Sequence, residues 1–174
     1  MTVKLMPEAQ APALSVETVG GGHWSLAGQS PETFTMVVFY RGYHCPVCKA
    51  YLEKLNGLAE QYEQAGFSVI AVSMDGADRA AKTVAEWAIG SLTIGFGLSE
   101  AAARSWGLYV SKAIKEGEAE IFAEPGLFWV RPDGRLYLID VSNMPWARPD
   151  LEFLYSKIPF AVEKGYPARG TYGG

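Results

Sequence analysis

Cysteine and histidine are scarce in this chain: two of each in 174 residues. Two cysteines cannot form the multi-bridge framework of a small disulfide-stapled fold. With only His23 and His44 as nitrogen donors, a four-ligand zinc centre is hard to assemble. No stretch approaches the roughly 18 apolar residues of a membrane-spanning helix. No basic run marks a nucleic-acid surface, and the formal net charge is −4. The opening segment "MTVKLMPEAQAPAL" has a single lysine and no continuous apolar core, so it reads poorly as a secretory signal. Neither repeats nor a second domain are visible. These absences lead us to expect one soluble, cytoplasmic domain, residues 1–174, without nucleic-acid or membrane partners and without a cofactor.

The two cysteines that are present stand two residues apart, in "FYRGYHCPVCKAYLEKL", Phe39 to Leu55. Before them, "TFTMVVFY" is the continuous apolar, β-branched run of a strand buried on both faces. After them, Val47, Tyr51, Leu55, Leu58 and Tyr62 recur at helical spacing, and Gly66 closes the helix. Pro46 suits a first helical position, which places Cys45 at the N-cap and Cys48 one turn in. Unpaired N–H groups and the positive end of the helix dipole favour a thiolate there, and Arg41, His44 and Lys49 add positive charge. A two-residue spacer also lets the sulfurs bond to each other.

Other readings of the pair compete with redox chemistry. The thiols could simply be core residues. They could bind zinc, although His44 adjoins Cys45 awkwardly. A Cys–His hydrolase would have only His23 as a distant base and would leave one cysteine unexplained. Redox chemistry uses both thiols and their placement.

The rest of the chain supplies strands and helices in alternation. "LSVETVGG" and "HWSLAGQ" form an N-terminal hairpin turned at Gly20, Gly21 and Gly22. "FSVIAVSMD" is a second buried strand, and Asp78 opens a helix containing Val84, Trp87, Ala88 and Ile89. "LTIGFGLS" is a short strand, followed by a short helix capped by Ser99. "SKAIKEGEAEIFAE" reads as a polar, irregular excursion. "GLFWV" and "RLYLIDVS" form a hairpin around "RPDG". Pro149 and Asp150 introduce a last helix to about Glu163, interrupted at Pro159, and "YPARGTYGG" is expected to fray. The order implies an α/β fold: a central mixed β-sheet flanked by helices.

"VVFYRGYHCPVCK" resembles the strand–loop–helix of thioredoxin-fold proteins, with Cys45-Pro46-Val47-Cys48 as the C-x-x-C. The wider chain resembles the peroxiredoxin branch, the alkyl hydroperoxide reductase and thiol-specific antioxidant superfamily. "FSVIAVSMDGADRAAKTVAEW", "LTIGFGLSEAAARSWGLYV" and "GLFWVRPDGRLYLI" carry that likeness, over roughly residues 30–160. It implies a thioredoxin-like fold and redox catalysis at Cys45 and Cys48 on a peroxide or a disulfide. An external thiol reductant of thioredoxin or glutathione type would reopen the internal disulfide, and a homodimer is compatible with this picture. A redox sensor or partner-binding module with little turnover is the alternative from another class.

The peroxiredoxin pattern is departed from at several positions. Aligned on Phe39-Tyr40, the peroxide-reacting cysteine falls on Cys48, with Cys45 at the Thr position and Arg41 at the Pro position. Anchored on Cys45, Gly42 and Val38 take those places. The arginine expected just ahead of the hairpin strand is replaced by Pro125, which resembles the cis-proline of thioredoxins. A cis Pro125 facing the thiols is therefore expected ahead of an ordinary strand-start proline, and Arg41 is either a substitute for the missing arginine or a solvated loop residue. His44 is a cation lowering the Cys45 pKa, a neutral relay, or an exposed loop residue. Tyr40 and Tyr43 read as packing, the tryptophans as core or interface, and Glu124 as a surface carboxylate.

Overall fold

The computed structural model describes residues 3–173. Its centre is a seven-stranded mixed sheet in the order β2-β1-β5-β4-β3-β8-β9. The strands are β1 (Ser15–Thr18), β2 (Gly22–Ser25), β3 (Thr35–Phe39), β4 (Ser68–Val72), β5 (Thr93–Phe96), β8 (Gly126–Val130) and β9 (Leu136–Val141). β3, β4 and β5 are parallel, while β8 joins β3 antiparallel and continues the sheet to β9. The N-terminal hairpin lies on β5, with β1 antiparallel to it.

Strand alternation divides the apolar side chains between two cores. From β3, Met36 and Val38, with Tyr40 just beyond the strand, point to one face and Val37 and Phe39 to the other. β8 does the same, with Leu127 and Trp129 opposite Phe128 and Val130. Five helices flank the sheet: α1 (Pro46–Gln64), α2 (Ala77–Glu86), α3 (Glu100–Ser105), α4 (Leu151–Ser156) and α5 (Ile158–Val162). Residues of α1, α4 and α5 fill the first core, and Ala103 of α3 with Trp106 packs in the second.

Several local expectations shift. The buried stripe of α1 is Cys48, Leu52, Leu55, Ala59 and Tyr62, whereas Val47 is 39 % exposed. The stripe is thus offset from the one expected through Val47 and Leu58, because Cys48 itself turns into the core. α2 ends at Glu86, since Trp87 leaves the helix as an extended C-cap and buries its ring. The segment expected to be irregular contains β6 (Val110–Lys112) and β7 (Ile121–Ala123), paired antiparallel as a separate two-stranded ribbon. The last helix divides into α4 and α5 around Lys157 and Pro159, with Asp150 capping the first. The tail packs in part: Ala168 is buried, and the Tyr166 carbonyl accepts a hydrogen bond from Tyr137 Oη.

Among the described helices, none is long and apolar enough to cross a membrane. The parallel strands β3 and β4 run toward the same end of the sheet, and their C-terminal loops carry Cys45 and Asp75. Sites in open α/β sheets form at such strand ends.

Leu55 is fully buried on the sheet-facing side of α1. Leu55→Ala is expected to lower unfolding stability by about 2–5 kcal/mol, measured by urea denaturation of the reduced protein.

Candidate active site

The loop between β3 and α1 cannot take an arbitrary path. Gly42 has φ +135°, and a Cβ there would lie 2.7 Å from Asp75 Oδ1 and 2.8 Å from Oδ2. Asp75, buried at the end of β4, accepts a hydrogen bond from the Tyr43 backbone N–H at 2.8 Å and pairs with Arg79 at 3.3 Å. The carboxylate therefore fixes the turn that delivers Cys45 to the start of α1. No motif in the sequence marked Asp75 as a partner of this loop.

Cys45 occupies the N-cap, and its sulfur accepts a hydrogen bond from the Cys48 backbone N–H at 3.2 Å. Cys45 is 1 % exposed and Cys48 0 %. Both thiols are free. Above Cys45 lies a depression of about 240 Å³ lined by Tyr43, His44, Pro46, Lys49, Glu86 and Trp87. Tyr43 and Trp87 stack with centroids 6.5 Å apart, and Tyr43 Oη donates to Glu86. A larger depression, about 430 Å³, lies by the Pro132–Gly134 turn, at the opposite end of β3. No thiol lines it, so we place the chemistry at the smaller one.

The two sulfurs are unequal. A hydrogen bond from the Cys48 thiol, the Cys48 backbone N–H and the nearby Arg41 and Arg148 guanidiniums outweigh burial at Cys45, lowering its pKa from 9.0 to about 6. Burial first, and then donation to Cys45, push the Cys48 thiol well above the usual range, although Arg148 opposes this. Arg148 Nη2 donates to Cys48 Sγ at 2.8 Å. Its guanidinium is held by the Pro145 carbonyl at 2.5 Å and lies 4.8 Å from the Tyr51 ring centroid.

Arg41 is largely buried, not solvated. Its Nε is 3.0 Å from Glu124 Oε2, and its guanidinium lies over Phe122 at 4.6 Å. That ion pair is close but not aligned as a hydrogen bond, so both atoms remain without a hydrogen-bond partner. Glu124, expected at the surface, is 3 % exposed, and Oε1 accepts from Ser111 Oγ at 2.7 Å. The β6–β7 ribbon causes this, since it carries Ser111, Phe122 and Glu124 onto the loop. His44 packs edge-on against Phe122 at 4.6 Å, and burial, then Arg41, lower its pKa. Both effects disfavour the imidazolium, which weighs against a cationic His44 beside Cys45. Among the described residues no three His, Cys, Asp or Glu side chains gather as a metal site.

Pro125 departs from expectation. No peptide bond among the described residues is cis, so its bond to Glu124 is trans. Strand pairing holds the backbone extended, with the Glu124 N–H donating to Tyr109 O and the Ser142 N–H to Pro125 O. Pro125 lines a tight cavity with Tyr51, Asp140 and Arg148. Arg148 follows the closing hairpin, where no motif marks it, and is the arginine on Cys48, as Arg41 is the one beside Cys45.

Comparisons with known proteins agree on the fold. The AhpC/TSA family model matches residues 7–139. A peroxiredoxin-like protein from Aquifex aeolicus superposes with a TM-score of 0.74 at 16 % identity, covering 92 % of this chain and 90 % of that one. AhpC of Mycobacterium tuberculosis gives 0.71 at 12 % identity, covering 94 % and 96 %. A Chlorobium tepidum protein described as the thiol:disulfide interchange protein DsbE gives 0.66 at 20 % identity, covering 89 % and 99 %. No curated protein matches the chain.

Gly42→Ala is expected to destabilise the protein by about 1–3 kcal/mol through its backbone conformation alone. It should also raise the Cys45 pKa by displacing the loop from Asp75. Denaturant melts and the pH dependence of Cys45 alkylation check both effects.

Proposed function

Because the chain belongs to the AhpC/TSA family and is a thiol-dependent oxidoreductase, we propose that it reduces a small peroxide through a Cys45–Cys48 dithiol–disulfide cycle. The observation that carries this reading is the Cys45 sulfur itself: stabilised as a thiolate, yet only 1 % exposed beneath a narrow depression. A hydroperoxide can reach such a sulfur, whereas a folded protein disulfide needs more access.

In the first step the Cys45 thiolate attacks the outer peroxide oxygen. An S–O bond forms, the O–O bond breaks, and the leaving alkoxide or hydroxide takes a proton to become alcohol or water. Cys45 is then a sulfenic acid. Arg41, beside the sulfur, would polarise the O–O bond and stabilise the developing oxyanion. Cys48 next attacks the sulfenic sulfur. Its proton and the departing hydroxide leave as water, and the Cys45–Cys48 disulfide closes. An external dithiol then reduces that disulfide and is itself oxidised to a disulfide.

Thiol–disulfide exchange is the second reading. A low-pKa N-cap cysteine with a buried partner thiol one turn along has the chemistry for it, with access to Cys45 the feature against it, and Cys45 would again attack. A redox sensor would keep the same oxidation and lack rapid turnover.

The test is stopped-flow mixing of reduced protein with stoichiometric hydrogen peroxide, followed by fluorescence, with Trp87 beside Cys45 as reporter. A fast reaction is expected, absent in Cys45→Ser. Cys48→Ser should react once and stop at a sulfenic acid that dimedone traps. A rate no greater than that of an ordinary free thiol would eliminate the peroxidase reading, and a protein disulfide would become the substrate to try.

The pH profile gives a further expectation. Thiolate is the reactive form, so lowering Cys45 from 9.0 to about 6 moves the rise in reactivity to lower pH. Alkylation of Cys45 should therefore reach half its plateau near pH 6 and fall away below it, measured by iodoacetamide labelling and mass spectrometry.

A further inference from the structure

Glu124 is buried beside the thiols and takes no part in the steps above. It closes β7 on the ribbon, 3 % exposed, with Oε1 held by Ser111 at 2.7 Å and Oε2 3.0 Å from Arg41 Nε. Arg41, its side chain 18 % exposed, pairs with the Glu124 carboxylate and stands four residues before Cys45 on the same loop, where its guanidinium favours the Cys45 thiolate. Charges there interact far more strongly than in water.

The other charged or titratable groups near Cys45 are already engaged, biased toward the neutral form or screened by solvent. Arg148 donates to Cys48, Lys49 is near Glu53, and Glu86 accepts from Tyr43. At His44 burial and Arg41 disfavour the cation, Asp75 is matched by Arg79, and Glu118, in the turn between β6 and β7, accepts from the Ile114 N–H and acts on Arg41 only through solvent. The charge count around Arg41 therefore changes with the state of the pair. In the disulfide, the guanidinium faces one buried carboxylate, Glu124, and the buried pair is balanced. In the reduced form at neutral pH the Cys45 thiolate adds a second anion to the same cation.

We propose that Glu124 sets the redox poise of the Cys45–Cys48 couple, acting through Arg41 as a positioning residue that disfavours the thiolate and so favours the disulfide. The couple is disulfide plus two electrons plus one proton giving one thiolate and one thiol. Anything that destabilises the thiolate moves it toward the disulfide and makes the reduced protein the stronger reductant. This rests on the dithiol–disulfide reading, but it is independent of whether the oxidant is a peroxide or a disulfide.

The experiment equilibrates wild type and Glu124→Gln with a small dithiol and its disulfide of known potential, alongside the alkylation pH profile of Cys45. Glutamine keeps the shape and removes the charge; its single oxygen can stay toward Arg41 while its amide N–H donates to Ser111 Oγ, whose hydroxyl can accept as well as donate. The expected result is a lower Cys45 pKa and an equilibrium shifted about tenfold toward the dithiol, ~30 mV for this two-electron couple. In an Arg41→Met background the same change should shift the equilibrium much less. Ser111→Ala keeps the Glu124 charge, removes one of its donors and should move the Cys45 pKa upward; it also serves if Glu124→Gln fails to fold. A depressed wild-type Cys45 pKa that neither variant moves would overturn the role of Glu124 and leave the cycle standing. A wild-type Cys45 that alkylates like an ordinary thiol would overturn the cycle itself.

Discussion

A negative sulfur inside a protein survives only where donors are already fixed around it, because burial by itself favours the neutral thiol. At Cys45 the donors are the Cys48 thiol and then the Cys48 backbone N–H, 3.2 Å from the sulfur and one of the unpaired groups at the first turn of α1. Everything nearby serves to keep that turn where it is. β3 is buried on both faces and cannot slide. Asp75 grips the loop at Tyr43, where the bare backbone of Gly42 lets it approach. Pro46 starts the helix without a wasted donor. The second thiol, one turn along, then lies on the buried stripe of the same helix, so one geometric fact sets both the reactivity of Cys45 and the burial of Cys48.

Charge around this turn is arranged in pairs. Asp75 answers Arg79, Glu124 answers Arg41, and Arg148 is directed at Cys48. The first two pairs join the loop to its surroundings, and the β6–β7 ribbon supplies one member of the second. The ribbon is therefore part of the site's electrostatics, though it lies outside the main sheet. Its own contact with the loop is aromatic as well as ionic, with Phe122 under Arg41 and against His44.

Local signals in the sequence located the centre of this arrangement. The β-branched run, the loop, Pro46 at the first helical position and Cys45 at the N-cap are short-range features, and all appear in the structure. What escaped is long-range. Arg148 is 100 residues from Cys48 along the chain and reaches it only after the hairpin has turned back. Glu124 sits in a charge-rich stretch whose composition suggests solvent, and only the pairing of β6 with β7 buries it. The helical stripe was misplaced because Val47 is the more apolar side chain at face value, whereas the sheet selects the face that Cys48 shares with Leu52 and Leu55. Trp87 left its helix for a similar reason: burying the indole beside Tyr40 and Tyr43 outweighs continuing α2.

Arg148 brings the two alignments of the family pattern into one physical account. Its position on Cys48 is where a peroxide-reacting sulfur would want a cation, yet Cys48 remains a thiol because it is the deeper sulfur and because its proton is used to stabilise Cys45. That balance belongs to the reduced state alone. In the proposed cycle Cys45 loses its charge once it carries oxygen or another sulfur, and with it go the Cys48 thiol's donation to a thiolate and the repulsion between the two sulfurs, leaving burial as the main force against a Cys48 thiolate. Arg148 stays, 2.8 Å from the Cys48 sulfur, and from then on favours the Cys48 thiolate, the form that must attack to close the disulfide. In that cycle the two arginines would act in sequence, Arg41 while Cys45 is the anion and Arg148 when Cys48 must become one.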